Sequence, residues 1–174
     1  MNYSSKPGRA VAALGTWPQS SKLELKKQNH LIMFLHPGCA CSKASVAELS
    51  RLMAEAKELT AQVVVMKSPK LQILFNENPL INQAKIIPRT QIIYDHDGKE
   101  AALFGAETSG LTHLYDADSN LLFSGGLTMA RGHEGESVGK KAILSLLNGK
   151  KAESSSLVFG CDIFGSIKTL TMAK

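Results

Sequence analysis

No apolar run in this 174-residue sequence approaches the roughly 18 residues that a helix needs to span a bilayer, so no membrane segment is expected. The first thirty residues also lack the basic, apolar and small-residue sections of a signal peptide. Taken as it stands, the chain reads as neither anchored nor addressed. Aromatic residues are few, at 6%, and the lysines behind the net charge of +5 are scattered or paired (Lys26-Lys27, Lys140-Lys141, Lys150-Lys151). With no arginine-rich face and little to stack on bases, no nucleic-acid partner is expected and a solvated basic surface is. Cysteine is scarce: three residues are too few for a disulfide-stapled scaffold, and the odd number leaves one thiol over.

What is present is ordinary globular chemistry, with 44% hydrophobic and 20% charged residues, in a length that suits one domain with a sizeable core. The centre of the chain runs from His30 to Met53. There the apolar run Leu31 to Leu35 empties into His36-Pro37-Gly38-Cys39-Ala40-Cys41 and then into a helical pattern. The run is short and continuous, as a strand buried on both faces should be. After the cysteines, Val46, Leu49, Leu52, Met53 and Ala56 recur at three- and four-residue steps, marking an amphipathic helix to about Glu58. Its start is open between Ser42 as the N-cap and a Ser45/Glu48 capping box one turn later.

Residues 1–29, with Pro7-Gly8 and Trp17-Pro18, have no sustained periodicity and read as an irregular arm on which Trp17 packs against the domain. Gln62 to Met66 is a second buried strand. Ser68 to Ile87 reads as loop with one or two helical turns, Arg89 to Tyr94 as a third strand, and Lys99 to Phe104 as a short helix stopped by Gly105. Leu111 to Tyr115 and Leu121 to Ser124 flank the polar turn Asp116 to Asn120, which is a hairpin signal. A loop rich in glycine and charge follows, from Ala130 to Glu136, then a helix from Ser137 to Leu147 and a tail from 150 to 174 that carries Cys161. Alternation first and a hairpin late predict an α/β domain, a mixed sheet with helices on both faces.

The order of elements resembles the thioredoxin-like fold, and the residues resemble most the TlpA- and RedB-type thiol–disulfide proteins. The likeness covers Leu31 to Leu147. It is carried by Phe34 to Ser45, Phe104-Gly105-Ala106-Glu107-Thr108-Ser109-Gly110, Leu114-Tyr115-Asp116 and Leu122-Phe123-Ser124-Gly125-Gly126. The RedB-type proteins are similar also through Arg131-Gly132-His133-Glu134-Gly135 and Val158-Phe159-Gly160-Cys161. The resemblance implies a thioredoxin-like domain at 30–149 and an extracytoplasmic, periplasmic setting, with a signal or anchor outside this chain. Two departures stand out. One residue, Ala40, separates the cysteines where the usual site has two. The usual cis-proline facing the thiols is replaced by Gly110; a cis bond before a non-proline costs about 2.5–4 kcal/mol, so Ser109–Gly110 is expected to be trans and to leave space beside the sulfurs.

Thiol–disulfide exchange needs a thiolate and a second thiol nearby. Residues two apart on a helix point roughly 200° apart, so Cys39 belongs in the loop and Cys41 at or just before the first turn. Cys39 is expected to be the attacking, more exposed thiol and Cys41 its partner. A disulfide closed across one residue would be tight, which favours the oxidant or isomerase direction. His36 either stabilises a thiolate as imidazolium or simply ends the strand, Pro37 and Gly38 shape the turn, and Ser109 and Gly110 face the pair. His133 lies in a loop that either folds towards the site or is solvated. Cys161 has three readings: a resolving thiol, an intermolecular link, or an inert packed cysteine.

The function that follows is thiol–disulfide oxidoreduction on the thiols or disulfides of partner proteins, with no cofactor. The alternative is a copper-binding module resembling the Sco-type metallochaperones, in which Cys39 and Cys41 with His36 or His113 would suit Cu(I).

Overall fold

The computed structural model describes residues 5–9, 14–75 and 78–165. Parts of the expected arm (1–4 and 10–13), Asn76 and Glu77 in the linking segment, and the tail beyond residue 165 lie outside the described residues.

The elements follow the order read from the sequence. They are β1 (His30–Leu35), α1 (Ser42–Glu55), β2 (Thr60–Lys67), α2 (Pro79–Lys85), β3 (Thr90–His96), α3 (Lys99–Leu103), β4 (Thr112–Tyr115), β5 (Leu121–Gly125) and α4 (Val138–Leu147), with a 3-10 segment at Pro69–Phe75 before α2. The five strands form one sheet in the order β3-β2-β1-β4-β5. β1 and β2 pair in parallel, as do β2 and β3, whereas β4 runs antiparallel to β1 and β5 antiparallel to β4. This is the mixed sheet expected.

Alternation along β1 divides the core in two. Leu31, Met33 and Leu35 point to the face covered by α1, α2 and α4, where they meet Val46, Leu49, Met53, Ile81 and Ile143. Ile32 and Phe34 point to the other face and meet Ala101, Phe104, Trp17, Val158 and Ile163. Both faces are therefore dry, which is why β1 has no polar position after His30. The arm and tail supply much of the second cover. Trp17 lies edge-on to Phe104 and Tyr115, with ring centroids 5.1 Å apart in each case.

Caps set the helix ends. The Asn78 side chain accepts hydrogen bonds from the Leu80 and Ile81 N–H groups with Pro79 as the first helical residue, and Ser137 Oγ accepts from Lys140 N–H at the start of α4. α1 begins at Ser42, with Cys41 as an N-cap that makes no side-chain cap bond. Neither cap offered by the sequence is used: Ser42 is the first helical residue and not the N-cap, Ser45 lies inside the helix, and Glu48 is spent elsewhere. It is fully buried, accepts the Gly135 N–H at 2.7 Å, and faces Arg51 and Lys140. No helix among the described residues is long and apolar enough to cross a membrane.

Candidate functional site

At the end of β1 the chain turns sharply through Pro37 and Gly38 into α1. Cys39 N–H donates to His36 O at 3.0 Å, and Gly38 N–H donates to His36 Nδ1 at 3.1 Å. Pro37 is buried, and its carbonyl accepts from Asn78 Nδ2 at 3.0 Å. The turn is thus tied to the start of α2 as well as to its own strand.

Ser109 sits at the centre of this arrangement. Its hydroxyl accepts the His36 N–H at 2.8 Å and shares a hydrogen bond with Ser42 Oγ at 2.7 Å, and it is fully buried. Its backbone N–H donates to Cys161 O at 2.8 Å. Ile163 N–H donates to Glu107 O at 2.8 Å, so the tail pairs antiparallel with the segment before β4. Gly160 makes the approach possible, because a Cβ there would come within 1.8 Å of Ser109 O. The pairing sets Cys161 N–H 3.3 Å from Cys39 Sγ.

The result is a cluster of three sulfurs. Those of Cys39, Cys41 and Cys161 all lie within 4.8 Å of one another. Of the three sequence readings of Cys161, the resolving thiol is the one that requires this proximity to Cys39 and Cys41. Its signal was Phe159-Gly160-Cys161, a glycine beside a cysteine, and the partner of that glycine was not visible locally.

Electrostatics favour one thiolate. The hydrogen bond from the Cys161 thiol, strongest of several, pulls Cys39 down to about 4; burial opposes it, and Ser42 and the Cys161 N–H assist. The same contact, together with burial, pushes Cys161 up. The two sulfurs share one proton, and it resides on Cys161.

Two expectations need correction, and one left open is decided. Cys39 is not the more exposed thiol: it is 2% exposed, while Cys41 and Cys161 are half-buried, because the tail covers the turn. The space expected beside Gly110 is filled, since a Cβ there would lie 2.8 Å from Ser45 Oγ. The His133 loop does approach the tail, but through Arg131, whose guanidinium donates to Gly160 O, while His133 is exposed and bonds Arg131 O through Nδ1. The Ser109–Gly110 bond is trans, as expected, and Gly110 takes φ +94°.

The histidines do not join the sulfurs. His36 Nδ1 is engaged by Gly38, and burial lowers the imidazole below its ordinary value although the Cys39 and Asp162 charges raise it. It is neutral at pH 7, so hydrogen bonds rather than an imidazolium hold the Cys39 thiolate. His113 Nε2 bonds Phe104 O at 3.1 Å within the aromatic cluster of Phe34, Phe104 and Tyr115, where burial drives it to about 4. Neither ring belongs to the cluster of metal-competent atoms, and the sequence had no means of placing Cys161 there instead.

Solved structures share this architecture. An uncharacterized conserved protein from Geobacillus kaustophilus is 21% identical, over 92% of this chain and 89% of its own, with a TM-score of 0.63. A thioredoxin-like protein solved in its oxidized form is 17% identical, over 87% of this chain and 100% of its own, with a TM-score of 0.52. The fold is thioredoxin-like. A secreted disulfide oxidoreductase of Mycobacterium tuberculosis, homologous to E. coli DsbE, is 13% identical over 72% of this chain and 84% of its own, at a TM-score of 0.50. No protein-family model matches the sequence, and no curated protein does. Within this thioredoxin-like frame the three-sulfur cluster lies where β1 gives way to α1.

Proposed function

We propose that the protein is a thiol–disulfide oxidoreductase acting on cysteines of other proteins through Cys39 and Cys41, in the manner of the TlpA- and RedB-type proteins it resembles. The observation that carries this reading is a buried thiolate, Cys39, beside a half-exposed sulfur, Cys41, at the first turn of α1. Exposure assigns the roles. In the oxidised pair a substrate thiolate attacks Cys41 Sγ, the Cys39–Cys41 bond breaks, and Cys39 departs as a thiolate. A low leaving-group pKa speeds that step, and the Cys161 N–H and Ser42 hold the departing charge. A second substrate thiolate then attacks the substrate sulfur of the mixed disulfide. Cys41 leaves and takes a proton from solvent; the substrate gains a disulfide, and two electrons remain on the pair.

Stabilising the reduced form makes a pair more oxidising, so oxidation of substrate dithiols is the favoured direction. The neighbour that is a secreted disulfide oxidoreductase supports an extracytoplasmic setting for this chemistry.

The test is trapping. A Cys39→Ser variant should accumulate a mixed disulfide between Cys41 and a single-cysteine peptide activated as an aryl disulfide, the aryl thiolate leaving, whereas Cys41→Ser should react at Cys39 at least about tenfold more slowly, since that thiolate is covered. Faster trapping by Cys41→Ser would reverse the roles, and equal rates would show that exposure does not assign them. Failure of the wild-type protein to close and reopen a Cys39–Cys41 disulfide would end the reading.

A further inference from the structure

We propose that the reduced protein binds one Cu(I) ion in a trigonal site made by the sulfurs of Cys39, Cys41 and Cys161. The inference goes beyond disulfide exchange, which needs only two of these sulfurs.

Geometry comes first. A planar three-sulfur site with metal–sulfur bonds of about 2.3 Å has sulfurs about 4.0 Å apart, and the three sulfurs here already lie within 4.8 Å of one another. Closing the ring asks less of the chain than a rotamer change.

Each sulfur comes from a different, separately anchored piece of backbone. Cys39 is in the turn fixed by His36 and Ser109, and Cys41 caps α1. Cys161 is held by antiparallel pairing of the tail, with Ser109 N–H on its carbonyl and Ile163 N–H on Glu107 O on the far side. The third ligand is thus pre-placed, and ordering it adds little cost to binding.

Donor chemistry selects the ion. No carboxylate or imidazole joins the three sulfurs among the described residues. An all-thiolate set favours soft ions. Structural zinc sites take four protein ligands, and a fourth is missing, whereas three are enough for Cu(I). Cys39 is almost wholly covered, which keeps water from completing a fourth position. Binding would release to solvent whatever thiol protons the three cysteines carry, with no change of oxidation state. The Arg131 guanidinium, bonded to Gly160 O next to Cys161, lies where it offsets part of the negative charge of three thiolates.

The experiment is an anaerobic titration of fully reduced protein with Cu(I) in competition with a chromophoric Cu(I) chelator. One ion per chain is expected, with copper-edge absorption fitting three sulfurs at about 2.3 Å. Cys161→Ser should weaken binding at least about tenfold while the far-ultraviolet circular dichroism stays that of the wild type. A two-sulfur shell, unchanged affinity in Cys161→Ser, or tighter binding of Zn²⁺ than of Cu(I) in the same assay would overturn the proposal. The same copper-edge spectra should carry no imidazole scattering, and a histidine ligand there would overturn the all-sulfur ligand set. Copper is read on reduced protein and peptide oxidation on oxidised protein, so either reading can fail while the other stands.

Discussion

Cys39 holds a negative charge almost out of reach of water, and that is a statement about stability as well as reactivity. In the unfolded chain its thiol keeps its proton up to the ordinary thiol range, whereas in the folded, reduced protein it is lost by about 4. Stability from this group therefore grows as pH rises from about 4 towards the ordinary thiol value, and it is lost as pH falls back through that window. Cys161, pushed the other way, reverses the trend above it. Urea unfolding of reduced and oxidised protein across this range should show a gap that widens with pH in favour of the reduced form. His113, kept neutral by burial, destabilises both forms alike below about pH 6.5 and so cancels in the comparison. A gap independent of pH would mean that Cys39 is protonated in the folded state. Little of this was legible in the sequence: the adjacency of Cys39 and Cys41 was plain, but the exposure order depends on what covers the turn, and the cover comes from the far end of the chain.

At the scale of elements, pattern and chemistry were legible to different degrees. The continuous apolar run of β1 and the three- and four-residue steps of α1 follow from burial alone, so both elements appear where the sequence placed them, with α1 stopping at Glu55. The hairpin was visible because Asp116 closes its own turn, its carboxylate accepting the Asp118 and Asn120 N–H groups. Glu48 was misleading for a physical reason. Three residues after Ser45 it fits a capping box, yet it points inward from α1 to fix the Ala130–Glu136 loop through Gly135 N–H, with Lys140 of α4 and Arg51 as counter-charges. Removing one member of a buried charge cluster strands the rest, so Glu48→Ala should cost about 3 kcal/mol in denaturant unfolding. Glu48→Gln, which keeps an acceptor for Gly135, should cost less. A Glu48→Ala protein as stable as wild type would show that the cluster is idle.

The molecule as a whole is arranged so that its last described stretch completes both its second core and its site. Val158 and Ile163 pack with Phe34 and Phe104 under the sheet, Ser155 bridges Ser124 beside β5, and between Val158 and Ile163 the tail lays Cys161 over Cys39. Cover and chemistry are coupled where the tail meets Ser109, with Gly160 seated against Ser109 O. Gly160→Ala puts a methyl group where that oxygen lies, so the tail must lift from Ser109 although its apolar anchors remain. Overpacking of this kind costs about 1–3 kcal/mol, which the fold should survive. Cys39 should then lose the Cys161 hydrogen bonds and its cover together. Alkylation of Cys39, read by peptide mass mapping after a short iodoacetamide pulse at about pH 5, reports both effects with opposite signs. Uncovering speeds the reaction and a rising thiol pKa slows it, so the pulse is repeated at about pH 9, where thiolate is plentiful in either case. The variant should react faster than wild type at the higher pH, with the advantage shrinking or reversing at the lower one. The same rate for both proteins at both values would show that the tail neither shields Cys39 nor sets its charge.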